Sequence, residues 1–222
     1  LSLSHRILIG MGIRERRERE RERRRQQIIV AAKRVFSANG FQKATMGEIA
    51  REAELSSGTL YIYFKKKEEL YASLSLRILR YLLIRLEHID SEASSIHQIQ
   101  QLEEAMFDVY AFDSRIVLNI FHLHPKELLD NLSMQLVGEI EGLFNKAMQK
   151  IARVFEAGIE AGAISGLSST TLAEIFWSLF TGAVLWQAGL SPSADRDEET
   201  FKRMLGGAFD VFRRGLVQAP AQ

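Results

Sequence analysis

Residues 45–67 read Thr-Met-Gly-Glu-Ile-Ala-Arg-Glu-Ala-Glu-Leu-Ser-Ser-Gly-Thr-Leu-Tyr-Ile-Tyr-Phe-Lys-Lys-Lys, a pattern that encodes two short helices and a tight turn. Thr45 and Glu48 have the Thr-x-x-Glu form of a capping box, in which each satisfies a backbone amide that a helix start leaves unpaired. A helix is therefore expected from about Met46, burying Ile49, Ala50 and Ala53 on one side of a 3.6-residue repeat. Glu54 and Leu55 make the turn, and Ser56 caps a second helix running from Ser57 to about Phe64. Leu60 and Phe64, four apart, pack inward. Ser57, Gly58, Thr59, Tyr61 and Tyr63 present small or hydroxyl-bearing groups outward, a surface suited to phosphates and base edges. Two helices so joined, with the second offering its first residues to a major groove, suit DNA readout. An ordinary helical hairpin with surface tyrosines has the same spacing.

Working outward, Ile28, Ala32, Val35 and Phe36 form the inward face of a preceding helix that stops at Asn39-Gly40, where glycine tolerates a left-handed conformation. Phe41 folds back on it. After the pair, residues 67–89 read as a long amphipathic helix with Leu70, Leu74, Ile78, Tyr81, Leu82 and Leu86 on one side.

From Gln26 to Leu74, with Ile-Ile-Val-Ala-Ala-Lys-Arg-Val-Phe-Ser-Ala-Asn-Gly-Phe-Gln-Lys-Ala-Thr-Met-Gly-Glu-Ile-Ala at the front and Gly-Thr-Leu-Tyr-Ile-Tyr-Phe-Lys-Lys-Lys-Glu-Glu-Leu at the end, the chain resembles the DNA-binding domain of the TetR family of bacterial ligand-responsive repressors. The resemblance is ungapped. It implies an all-α protein with an N-terminal three-helix helix-turn-helix domain and a C-terminal helical domain for ligand binding and dimerisation. Thr45 would contact phosphate at the start of the second helix; Ser57, Gly58, Thr59 and Tyr61 would lie on the recognition helix, Tyr63 at its backbone-facing end, and Lys67 would meet phosphate at the start of the fourth. Many members carry Lys or Gln where Ser57 stands, and His where Ile62 or Tyr63 stands, so the resemblance assigns no operator sequence. The implied function is repression: a homodimer binds a palindromic double-stranded operator and is released by a small apolar effector. No cofactor or metal is expected, and no enzymatic activity. The expected location is the cytoplasm.

Charge is divided along the chain. Residues 1–71 hold 16 Lys and Arg against 9 Asp and Glu, whereas residues 72–222 hold 13 against 19. The first part is thus +7 and the second −6, and basic charge supplies the sequence-independent part of duplex affinity. The domains implied are an Arg/Glu-rich extension over 1–25, the DNA reader over 26–71 and the effector and dimer domain over 72–222. With no Cys in 222 residues, disulfides, cysteine nucleophiles and zinc–thiolate sites are excluded. Nucleophile elbow, phosphate-binding glycine loop and His-Glu metal motif are lacking too. Residues 1–13 lack the layout of a secretory signal, and Met11 reads as the natural start. Residues 14–25 hold eight Arg and four Glu, with Glu15–Arg19 and Glu20–Arg24 in the favourable i,i+4 order. They can extend the first helix into solvent or lie along phosphates.

Further helices are expected over 96–112, over 114–123 and from Pro125 to about Gly162. His122 and His124, two apart, do not share a helix face, which argues against a metal site. Residues 175–190 are sixteen residues without a charge, about 24 Å as a helix and too short for the ~30 Å hydrocarbon layer. They read as a helix buried on nearly every side, more than one chain supplies, after a loop whose cap is Ser169 or a nearby Thr. The last helix spans residues 201–216. The candidate effector wall is Phe107, Tyr110, Phe121, Phe144, Met148, Phe176, Trp177 and Phe180; ordinary core is the competing reading. The resemblance implies dimerisation through the last two helices, with Leu179, Val184, Leu205, Phe209 and Phe212 at the interface.

Overall fold

The computed structural model describes residues 3–114, 117, 132–189 and 198–216. All its regular structure is helical: α1 (Leu3–Lys43), α2 (Met46–Glu52), α3 (Ser57–Tyr63), α4 (Lys67–Glu87), α5 (Ser95–Phe112), α6 (Met134–Glu160), α7 (Ser169–Gly189) and α8 (Glu198–Leu216). The chain forms two compact units, Leu1–Leu74 and Ser75–Gln222, and α4 belongs to both.

In the first unit the apolar faces close on one another. Ile28, Ala32 and Phe36 of α1, Ile49 and Ala50 of α2, Leu60 of α3 with its C-cap Phe64, and Leu70 and Tyr71 of α4 are all essentially inaccessible. Each large apolar side chain so buried stabilises the unit by about 1.5–3 kcal/mol before entropy is counted. Gly40 adopts φ +73° and breaks the helical course of α1, as the Asn39-Gly40 pair implies. The chain bends there, so that Phe41 meets Phe36 at 5.6 Å and Tyr71 at 4.9 Å between ring centroids.

In the second unit α6 packs on α5 and α7, and α8 packs on α7 and α5. Ile99, Leu102 and Met106, Ile151 and Phe155, Phe176, Phe180 and Val184, and Phe201, Leu205 and Phe209 form its core. Phe176 stacks on Phe209 at 4.7 Å, and Tyr110 on Phe201 at 3.8 Å. One charged link crosses this core. The Arg213 guanidinium donates to Glu103 at 2.6 Å and to Asp210 at 3.1 Å. Burial pushes the Glu103 carboxyl up, against the attraction of Arg213.

Two element expectations need correction. The helix read as beginning at Pro125 does not run through residues 132–133: Ser133 accepts from the Leu136 amide and starts α6 at Met134. A local cap thus overrides an apolar periodicity that continues on both sides of it. The cap of α7 is Ser168, whose hydroxyl accepts from Thr171. Within the protomer α7 leaves Ile175, Leu185 and Trp186 exposed, so one chain does not cover all its sides. Of the helix expected over residues 114–123 only 114 and 117 are described, both helical, and the pair His122 and His124 lies outside the described residues.

Candidate DNA-binding site

The site is built from the caps outward. Thr45 Oγ1 accepts from the Glu48 amide at 3.2 Å, and the Glu48 carboxylate accepts from both the amide and the hydroxyl of Thr45 at 2.9 Å. These bonds hold the Glu48 carboxyl below the usual carboxylate range. The turn follows, with Glu54 at φ +56°. Ser56 Oγ then accepts from the Thr59 amide at 3.1 Å and lies 2.8 Å from the Thr59 hydroxyl.

Such a frame fixes which side of α3 faces out. Leu60 and Phe64 are sealed, while Ser57, Gly58, Tyr61 and Ile62 are exposed and Thr59 and Tyr63 half-buried. By helical geometry Gly58 and Ile62 point most directly away from Leu60 and Phe64, with Tyr61 and Thr59 flanking them. Ile62, 66 % exposed, is the residue that the sequence reading leaves out of the site. The same 3.6-residue count that places Leu60 inward places Ile62 outward, so the signal was present. An apolar side chain there can meet a thymine methyl in the major groove.

Lys67, at the start of α4, is held by the chain itself. Its ammonium donates to the carbonyls of Phe41, Gln42 and Ala44 at 3.0, 3.2 and 3.3 Å and lies 4.7 Å from the centre of the Phe41 ring. It thus ties the start of α4 to the α1–α2 junction, immediately before Thr45. Lys65, next to the end of α3, donates to the Tyr61 carbonyl at 2.6 Å. Arg25 lies 5.0 Å from the centre of the Phe64 ring.

With this geometry in view, comparison with known proteins is informative. Residues 28–74 match the family described as bacterial regulatory proteins, tetR family. That span covers the last 16 of the 41 residues of α1, both short helices and the start of α4, with the capped turn at its centre. Residues 28–74 carry a TetR-type DNA-binding domain. Among relatives, the HTH-type transcriptional regulator YhgD of Bacillus subtilis is 24% identical over 179 residues, covering 80% of this chain and 90% of that protein. Among solved structures, the TetR family transcriptional regulator PfmR of Thermus thermophilus superposes with a TM-score of 0.69 at 18% identity, over 86% of this chain and 99% of that one. The regulator FadR of Bacillus subtilis in complex with stearoyl-CoA superposes with a TM-score of 0.66 at 20% identity, over 86% and 98%. These structures share the TetR fold with this chain: all-helical, helix-turn-helix first, helical domain after.

The expected effector wall is only partly gathered in one place. Phe144 meets Trp177 at 5.3 Å, and Trp177 meets Phe180 at 5.8 Å, joining α6 and α7, and Met148 lies one turn beyond Phe144. Phe107 instead faces Phe209 at 5.9 Å, Tyr110 lies on Phe201, and Phe176 is enclosed by Phe155, Phe209 and Phe212. Phe121 lies outside the described residues. Of the expected interface, Val184, Leu205 and Phe209 are sealed inside the protomer, and Leu179 and Phe212 are half-buried. Periodicity finds an apolar residue without saying which neighbour covers it. The apolar surface open on these helices is instead Ile175, Leu185 and Trp186 of α7 and Val211 of α8. No helix among the described residues is long and apolar enough to cross a membrane.

Proposed function

We propose that this regulator is a homodimeric repressor, released from a palindromic operator by a small apolar effector, and that it works in the cytoplasm without catalysing a reaction. The observation that carries the DNA half of this reading is α3: a capped seven-residue helix, sealed on Leu60 and Phe64, that leaves Tyr61 and Ile62 open to a major groove. In this reading Thr45 and Ser57 approach the phosphates, Gly58 lets the backbone come close, and Thr59, Tyr61, Ile62 and Tyr63 meet base edges and backbone. Lys67 acts indirectly, by holding the α1–α2 junction that presents Thr45.

The homodimer rests on two outward stripes. Ile175, Leu179, Gly182 and Trp186 share one side of α7, and Met204, Ala208, Val211 and Gly215 share one side of α8, neither of them the side that builds the core. Paired with a second copy, the stripes would bury Trp186 and Val211, which a lone protomer leaves 59 % and 72 % exposed.

For the effector, the half-buried Phe144, Met148 and Trp177 supply an apolar wall. Nearby on α6, a groove of about 300 Å³ lined by Leu83, Leu143 and Gln149 carries Lys146, Lys150 and Arg153 at its edge, with Glu87 paired to Lys150 at 3.6 Å and a rim that stays net positive. Apolar floor with cationic rim suits an amphiphile with an anionic head, and the FadR complex makes acyl thioesters the first class to screen. An effector shifts the protein only if it prefers one conformation over the other.

The test is fluorescence anisotropy with duplex DNA from upstream of the protein's own gene against a scrambled duplex. Tight binding to the first alone, saturating at an even number of chains and reversed by stearoyl-CoA or a shorter acyl thioester, is expected. Equal weak binding to both duplexes from effector-free protein would count against an operator there.

A further inference from the structure

Every residue from Arg14 to Arg23 is exposed, so this part of α1 stands clear of all described neighbours. The helix is seated just below it. Arg25 lies over Phe64 and donates to Ser73 at 3.4 Å, and the Gln27 amide donates to the Ala53 carbonyl at 2.9 Å. Those partners are the C-cap of α3, the first part of α4 and the C-cap of α2. The arm is thus fixed at its base to the helix-turn-helix itself.

A helix polar on all sides persists in solvent through side-chain pairs, or it serves a partner. Pairs are present: Glu15 with Arg19, Glu20 with Arg23 and Arg24, Glu22 with Gln26. They leave Arg14, Arg17 and Arg21 without an ion pair among the described residues. Arg14, Arg17, Arg21 and Arg24 follow the i, i+3, i+7, i+10 spacing of one helix side, the side that lower down buries Ile28, Ala32 and Val35. Glu15, Glu18 and Glu22 share a neighbouring side. Glu20 alone of the four Glu borders the Arg14–Arg24 side, where it pairs with Arg23 and Arg24, and Arg16, Arg19 and Arg23 lie on a further side, so the side of Arg14, Arg17 and Arg21 is cationic with one Glu at its edge. Ten residues rise about 15 Å, and one DNA strand offers a phosphate about every 3.4 Å of its axis, roughly four over that length.

We propose that this arm is a second DNA contact, a rigid helical strut that lays Arg14, Arg17, Arg21 and Arg24 along the phosphates flanking the site read by α3. It does not enter a minor groove: a helix with its side chains is about 10–12 Å across and that groove about 6 Å wide. The arm adds affinity that is independent of sequence and lengthens the footprint. The inference rests on DNA binding by the first unit and extends it.

The experiment needs no operator. Full-length protein is titrated onto a scrambled duplex of about 40 base pairs over a salt series, beside R14Q/R17Q/R21Q and R14K/R17K/R21K, with helicity checked by circular dichroism. Three lost phosphate contacts flatten the slope of log K against log salt by about 2.7 per engaged arm. The Lys variant keeps the wild-type slope, because the contact reads charge. A third variant, E15Q/E18Q/E22Q, steepens it by relieving repulsion. A steep wild-type slope that the Gln variant leaves unchanged overturns the arm while sparing the DNA-binding reading. Wild-type protein that binds no duplex at any salt overturns both.

Discussion

Tyr61 and Ile62 are the residues on which specific binding turns, because they are the large side chains that α3 leaves open while Leu60 and Phe64 fasten it. Replacing Tyr61 with Ala is expected to weaken operator binding by about 1–3 kcal/mol with the melting temperature and oligomeric state unchanged. Ile62→Ala should instead relax preference at one base position, read by competition with single-base operator variants. Wild-type affinity in both would show that α3 does not enter the groove. Lys67 makes the opposite prediction from a phosphate contact. Its ammonium is spent on the carbonyls of Phe41, Gln42 and Ala44, and a hydrogen bond to a charged group is worth about 1.5–3 kcal/mol net. Lys67→Met should therefore lower stability in denaturant titration by about that much and leave the salt slope of DNA binding unchanged. A slope reduced by about one unit, with normal stability, would restore the phosphate role.

At the scale of the element, α2 and α3 were legible because their ends are written in adjacent residues. Thr45 with Glu48 and Ser56 with the Thr59 amide each close within three positions, so no distant part of the chain can overrule them. Losing the Thr45 hydroxyl should cost about 1 kcal/mol, measured as a lowered denaturation midpoint in Thr45→Ala. The partner carboxylate adds a pH dependence with a definite sign. Glu48 is held below the usual carboxylate range by its bonds from Thr45, so its contribution is present above the unfolded-state value and is lost as pH falls through the folded one. Wild type should thus lose more stability on acidification than Thr45→Ala, and the two midpoints should draw together at low pH to the difference that the hydroxyl makes by accepting from the Glu48 amide. Parallel curves would mean that the box contributes nothing through Glu48. The caps of α6 and α7 were as local, yet were missed: apolar periodicity runs on through Leu132, and Ser168 sits beside other hydroxyl residues that could serve equally. Ser133 and Ser168 take the role.

At the scale of the whole molecule, what the sequence hid is which apolar face each helix keeps for itself. Val184 and Trp186 are two residues apart on α7 and equally apolar, yet one is sealed and the other 59 % exposed, because only the fold decides which side α6 and α8 cover. Aromatic richness in α5 to α8 was likewise readable, but Phe176 spends itself on Phe155, Phe209 and Phe212, as core and not as an open wall. This separates two kinds of substitution that look alike in sequence. Trp186→Glu places a charge in the proposed interface without touching the core, so sedimentation should show a monomer with full helicity and a thermal midpoint set by the lone protomer. Operator affinity should fall to that of a single half-site. Phe209→Ala empties a core site and should cost about 3–5 kcal/mol, while the protein that remains folded still dimerises. If Trp186→Glu sediments as wild type does, the stripe on α7 is not the contact, and a Phe209→Ala protein that is folded but monomeric would return the interface to the buried positions.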